Sequence, residues 1–202
     1  LADRGARYTC WPAGAATPLD IVLSDIVETD GSPWVCCPRS LLKRALAEFK
    51  TETGTDFIAS FEQEFQVLGA NWPPAPSFAV SALRRADPFG PDIVAALTQA
   101  GIEPEVFVAE YGRDQFEITT PAVNGLVAAD RALVIREVIR EIALRRGWRA
   151  SLSPKTAVNG VGNGVHIHFS FAGANGKPAA FDAKGPGRMS KLAGAFAAGV
   201  LK

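Results

Sequence analysis

Eight consecutive residues, Gly164-Val165-His166-Ile167-His168-Phe169-Ser170-Phe171, carry both histidines of the chain in unbroken apolar–polar alternation. Successive side chains of a strand point to opposite faces. Val165, Ile167, Phe169 and Phe171 therefore share one face, and His166, His168 and Ser170 share the other. The apolar row predicts a strand fixed to a core, with two imidazoles and a hydroxyl presented together on its back.

Residues 57–68 repeat the pattern with carboxylates. Phe57, Ala59, Phe61, Phe65 and Val67 fall on one face, and Ser60, Glu62, Glu64 and Gln66 on the other. Two carboxylates on one face of a strand stand roughly 6–7 Å apart. Like charges that close are unfavourable unless a cation or water screens them. No Lys or Arg lies between them, which favours a cation.

The remaining segments give a coarse outline. Residues 1–18 hold few periodic signals and read mostly as loop. Residues 19–27 are strand-like, and Asp30-Gly31 leading into Trp34-Val35-Cys36 predicts a hairpin. Pro38 opens a helix with Leu42, Ala45, Leu46 and Phe49 on one face, ending before Gly54. A loop rich in Pro and aromatics, residues 71–91, precedes a helix from Pro91 to Ala100. Residues 106–119 read as strand, tight turn and strand, with Phe116 and Ile118 inward and Gln115, Glu117 and Thr119 on the polar side. The longest helix spans residues 127–146, its charges, Asp130 among them, forming a solvated face with a Glu141–Arg145 pair. Residues 153–164 form a Gly/Asn-rich loop whose backbone amides are free to meet an anion or substrate.

Charge excludes some partners. Lys and Arg number 21, as do Asp and Glu, so no net field favours nucleic acid or an acidic membrane surface. Three cysteines, two of them adjacent (Cys36 and Cys37), are no disulfide framework, and a cytoplasmic location is expected. No apolar run approaches the ~18 residues of a membrane span. Leu192, Phe196 and Val200 are still on a helical pattern at the last residue, which suggests part of a longer protein.

Taken together, Glu62, Glu64, Glu110, Glu117 and His166 make a carboxylate-rich set with one imidazole. Hard oxygen donors suit Mg²⁺ or Mn²⁺, whereas Zn²⁺ more usually recruits further His or Cys. Four carboxylates could neutralise two divalent ions, an arrangement that usually serves transfer at phosphorus. A second reading takes His166 and His168 as the metal pair of a cupin-like protein or metallohydrolase, but no Glu follows the pair within a few residues.

Three ordered motifs resemble the glutamine synthetase family, catalytic domain, from about Leu19 onward: Glu62-Gln63-Glu64-Phe65, Glu110-Tyr111-Gly112 with Gln115-Phe116-Glu117, and Gly162 with Gly164 through Ser170. The second is closest to the branch that joins glutamate to amines. The resemblance implies an α+β fold, a largely antiparallel curved sheet with helices on its outer face. It also implies ATP-dependent formation of a γ-glutamyl amide from glutamate and ammonia or an amine, through a γ-glutamyl phosphate. By that resemblance Glu64, Glu110 and Glu117 would hold one divalent metal, and Glu62 and His166 a second that bridges nucleotide phosphates. Glu105, His168 and Ser170 would contact the nucleotide, and Gly162 would lie at the amino-acid substrate. A homo-oligomer is implied. Two departures stand out: Arg113-Asp114 replaces a usual Pro-Gly turn, and Val161 falls where an Asn commonly contacts glutamate, unless Asn159 or Asn163 substitutes. The family's substrate-clamping arginines and a further metal-ligating Glu are expected beyond residue 202, so residues 1–202 read as a partial catalytic domain, inactive alone. The departures also motivate a non-catalytic relative as an alternative.

Overall fold

The computed structural model describes residues 1–202, the side chain of Asn175 excepted. Its centre is β3 (Asp56–Leu68), a 13-residue strand paired along both edges. On one edge lie β5 (Gln115–Thr119) and β6 (Val123–Asn124), and on the other β7 (Arg149–Ser151) and β8 (Val165–Ala172). β4 (Val106–Ala109) adds outside β5, and every pairing is antiparallel. The fold is thus the expected α+β arrangement, an antiparallel sheet with helices on one side.

Alternation within β3 decides which side. Ala59, Phe65, Val67 and the amide of Gln63 are buried, while Glu62 and Glu64 turn to the opposite face. The apolar face meets α3 (Phe89–Gln99) and α4 (Gly125–Arg145). Phe65, Phe89, Phe116, Ile93, Ile118, Ile135 and Ile139 interlock there with almost no exposure. Trp72 and Trp148 close the rim edge-on, with ring centroids 4.8 Å apart. The predicted loop at residues 71–91 contains a short helix, α2 (Val80–Arg84).

α1 (Pro38–Thr53) follows its sequence signals closely. Pro38 sits in the first turn, the Cys37 thiol accepts from the Ser40 N–H, and Gly54 ends the helix at φ 68°. A helix end of that kind needs the left-handed conformation, which glycine adopts without a steric cost.

Four expectations need correction. Residues 1–18 are not mostly loop: β1 (Ala2–Cys10) pairs antiparallel with β2 (Leu19–Ser24). Its inward side chains, Ala6, Tyr8 and Cys10, alternate but are too small or too polar to register as an apolar run. The hairpin across Asp30-Gly31 is reduced to one bridge, Val27 to Pro33, because β2 pairs backwards with β1 instead.

The apolar row of β8 is mostly not in the core. Phe171 is buried against Phe49 and Phe57, but Val165, Ile167 and Phe169 are 48%, 53% and 44% exposed. Helix α4 packs beneath β3 and β7, and a groove lined by Phe61, Leu133, Arg136 and Val165 separates it from β8. α5 (Lys191–Val200) reaches only the far end, where Phe196 meets Phe169 and Phe171.

Asp130 is the fourth correction. It is 5% exposed rather than solvated, and takes two hydrogen bonds from Arg39 at 2.9 and 2.8 Å. The partner is 91 residues upstream, so no helical charge pattern reveals it. Arg39 also reaches Asp3 and Asp25, and Lys43 joins Asp25, so one buried guanidinium fastens β1, the loop after β2, α1 and α4 together. The Glu141–Arg145 pair forms as expected.

Removing one partner of a buried ion pair strands the other charge. With Arg39 and Asp130 side chains 10% and 7% exposed, Arg39→Ala is expected to cost about 3 kcal/mol in denaturant unfolding. Hydrogen bonds from Arg39 hold the Asp3 carboxyl below its ordinary value of 3.8, and Lys43 foremost does the same for Asp25. A carboxyl with a depressed folded value stabilises above its unfolded value and loses that contribution as pH falls through the folded one. Amide exchange in residues 2–24 should therefore accelerate selectively as pH drops below 3.8, before the central sheet opens.

Candidate active site

Register along β3 places the polar side chains. Glu64 stands opposite Glu117 of β5, and Glu62 opposite His166 of β8. His168 lies opposite Ser60, and Ser170 opposite Ile58. Glu110 follows directly on β4, and its N–H donates to Gln115 O at 2.9 Å. The Glu105 N–H donates to Thr119 O, beside the row that holds Glu62. Strand rise then spreads the polar groups from Glu110 to Ser170 over roughly 27 Å.

Five of the predicted residues, Glu62, Glu64, Glu110, Glu117 and His166, line one open cleft with Gly162 and Gly164. Carboxylate oxygens of Glu62 and Glu117 and a ring nitrogen of His166 lie within 4.8 Å of one another. His168 and Ser170 continue the same strand face beyond that cleft, and Glu105 lies on the neighbouring strand pair, exposed. The set is therefore contiguous along the sheet, with Glu105 at its margin.

The electrostatics are those of crowded negative charge. Burial first, and then the charges of Glu62, Glu110 and Glu64, push the Glu117 carboxyl up to about 7. Glu62 behaves oppositely. Burial raises it, but hydrogen bonds from His168 and His166 outweigh that and leave it below its ordinary value. His166 Nδ1 and His168 Nε2 each take one oxygen of the Glu62 carboxylate, at 2.8 and 2.7 Å. One carboxylate between two imidazoles, and a second whose charge is disfavoured first by burial and then by its acidic neighbours, form a donor set that a divalent cation would relieve.

The loop passes close over this face at Gly164. A Cβ on Gly164 would lie 2.8 Å from Glu64 Oε1 and 3.0 Å from His166 Cε1. The loop is fixed by Gln115, whose side chain sequence reading left without a role. Its Nε2 donates to Glu64 Oε2 at 3.0 Å, Gly162 O at 2.7 Å and Asn163 Oδ1 at 2.9 Å, and its Oε1 accepts from the Gly112 N–H. Gln115 is 2% exposed, so the lock is dry. Its place in the second acidic motif was the only signal in the sequence. Asn163 gives its amide to Ser151 O and Ser153 O and lines the cleft beside Val161 and Gly162. Val161 itself lines the cleft, with Phe78 and Tyr111, which sequence reading also passed over.

Comparison with known proteins identifies the family. The profile described as "Glutamine synthetase, catalytic domain" matches residues 35–202. The chain is 32% identical over 176 residues to the gamma-glutamylpolyamine synthetase GlnA3 of Streptomyces coelicolor, covering 83% of this chain and 37% of that protein. It is 28% identical over 198 residues to the glutamate–isopropylamine ligase of a Pseudomonas species, covering 89% and 42%. A crystal structure titled as a novel glutamine synthase homolog superposes with a TM-score of 0.93 at 44% identity, covering all of this chain and 48% of that one. The chain thus spans less than half the length of the relatives it matches. No helix among the described residues is long and apolar enough to cross a membrane. On the sequence match, the antiparallel fold and the acidic strand face together, the chain belongs to the glutamine synthetase family.

Proposed function

We propose that the whole protein is an ATP- and Mg²⁺- or Mn²⁺-dependent ligase that joins glutamate to ammonia or an amine. Glutamate, ATP and amine give the γ-glutamyl amide, ADP and phosphate, through a γ-glutamyl phosphate. The enzyme works as a cytoplasmic homo-oligomer, and this chain supplies a partial catalytic domain that does not turn over alone. The observation that carries the reading is the convergence of Glu62, Glu117 and His166 within 4.8 Å beside Glu64 and Glu110.

When bound, the divalent ions supply positive charge to anionic oxygens as a phosphoryl group moves. The chain's own residues hold the parts. Glu64, Glu110 and Glu117 would take one ion at the amino-acid end of the cleft, and Glu62 and His166 a second nearer the nucleotide. His168 and Ser170 continue in line, with Glu105 to one side, where the sheet offers length for a triphosphate and its nucleoside. Gly162 borders the amino-acid end, and Gln115 keeps its carbonyl oriented by a hydrogen bond of 2.7 Å. The two-histidine reading is less well supported, because His166 and His168 are directed at opposite oxygens of one carboxylate.

Calorimetric titration with Mn²⁺ tests the site without turnover. Glu62→Ala combined with Glu64→Ala should weaken binding by about 100-fold, since ligands and their supports each carry factors of roughly 10–100. Binding indistinguishable from the parent chain would refute the assignment. Gln115→Leu removes the lock while keeping an apolar-sized side chain. Tryptic cleavage after Lys155 should then quicken severalfold, with the Mn²⁺ affinity falling about tenfold through a misplaced Glu64. Phosphate release by the full-length protein on adding glutamate, ATP and an amine tests the reaction itself. Its absence with every amine would leave the non-catalytic reading.

A further inference from the structure

We propose that Asp114 and Arg85 are positioning residues for the amino-acid end of the cleft, acting on Glu110 and Glu64 through the turn at residues 110–115. This deepens the ligase reading and rests on it. Asp114 is half of the Arg113-Asp114 pair that replaces the family's usual Pro-Gly turn. It holds φ 54°, the left-handed conformation that a glycine would supply freely. Aspartate is among the few residues with a side chain that enter that region readily. The exchange thus meets the backbone requirement of the turn and adds a carboxylate that glycine lacks.

That carboxylate is buried. Asp114 is 5% exposed, and among the described residues its Oδ1 accepts no hydrogen bond. Arg85 Nη2 stands 3.1 Å from Oδ1, and the largely exposed Arg113 places its Nε 3.7 Å from Oδ2. A buried carboxylate is costly unless a charge offsets it, and Arg85 is the buried charge that does so. Arg85 is itself tied down, its Nε donating to Ala82 O at 3.2 Å and its Nη1 to Pro73 O. One guanidinium thus joins the end of α2 and the proline-rich segment to the turn. Phe78, at φ 59° in the same segment, donates its N–H to Ala109 O at 3.1 Å and meets the Tyr111 ring edge-on.

The turn carries much of the site. Glu110 opens it, and Gln115, which holds Glu64 Oε2 and Gly162 O, closes it. The Val67 N–H donates to Asp114 O at 2.8 Å, and Gln66 Nε2 donates to Arg113 O at 2.7 Å. Those bonds fix the turn's carbonyls to β3, and the ion pair with Arg85 fixes its buried side chain to α2. A turn released at Asp114 would let Glu110 and the Gln115 amide drift together, and with them the Glu64 oxygen and the Gly162 carbonyl. Glu62, His166, His168 and Ser170 are carried instead by the pairing of β3 with β8, toward the nucleotide end. The effect is therefore confined to one end of the cleft. On this account the Arg113-Asp114 departure is a replaced support of a working site rather than the mark of a non-catalytic relative.

The test uses the full-length protein, with Mn²⁺ affinity from calorimetric titration and KM for glutamate and for ATP from phosphate release. Asp114→Gly keeps the left-handed backbone and removes the carboxylate, so a residue that only shaped the turn would not be missed. Mn²⁺ affinity should instead fall about tenfold, within the range carried by groups that support metal ligands. The KM for glutamate should rise several-fold with the KM for ATP unchanged. Arg85→Met combined with Asp114→Asn strands no charge, which separates positioning from stability. Its thermal midpoint should lie closer to the parent's than that of Arg85→Met alone, while its Mn²⁺ affinity stays about tenfold low. Parent-like Mn²⁺ affinity in Asp114→Gly, affinity regained in the double variant, or an equal rise in both KM values overturns this inference. If the parent binds Mn²⁺ but releases no phosphate with ammonia or any amine, the ligase reading falls alone and the Mn²⁺ titrations decide this one. A parent that binds no Mn²⁺ overturns both.

Discussion

The double pairing of β3 is the constraint on which everything else depends. Its two edges bring β5 and β8 into register so that Glu64 faces Glu117 and Glu62 faces His166. Like charges set opposite one another weaken a sheet, and here the weakening is tolerated because the reverse face is anchored. Phe65, Phe116 and Ile118 are fully buried under α3 and α4. Burying a large apolar side chain is worth about 1.5–3 kcal/mol, and these three work against the repulsion above. The raised Glu117 carboxyl is a trace of that conflict, driven first by burial and then by its acidic neighbours.

Short-range periodicity made half of this legible. The alternation in residues 57–68 and 164–171 identified both strands and chose the faces of Glu62, Glu64, His166 and His168 correctly. Pro38 and Gly54 marked the ends of α1 for reasons local to the helix. What escaped were features decided by partners far away in the chain. β1 is a strand because β2 folds back on it, and Asp130 is buried because Arg39 arrives from 91 residues upstream. Alternation also says that a strand has an apolar row, but not whether anything covers it, and β8 shows the difference.

The site was legible to the same degree. Motif order gathered the five residues that line the cleft, and the resemblance extended them to His168, Ser170 and Glu105 along the sheet. The supporting layer was not legible. Gln115 looked like one more residue on the polar side of its strand, yet its amide touches the acidic face, the glycine-rich loop and the Gly112 turn together. Nor could spacing show that Phe78, 32 to 33 residues before Glu110 and Tyr111, returns to meet them, because a left-handed phenylalanine is not a sequence signal.

The half-covered row on β8 has a practical corollary. Among the described residues β8 pairs with β3 and, only at its far end, bridges from Ala172 to Pro178, so from Val165 to Ser170 its outer backbone N–H and C=O groups run beside exposed Val165, Ile167 and Phe169. An open strand edge flanked by bare aliphatic and aromatic groups is a template on which a foreign strand can grow. Handled by itself at high concentration, this polypeptide would tend to self-associate through β8. Polar replacements at Val165 and Ile167 would keep it dispersed without disturbing the histidines on the other side.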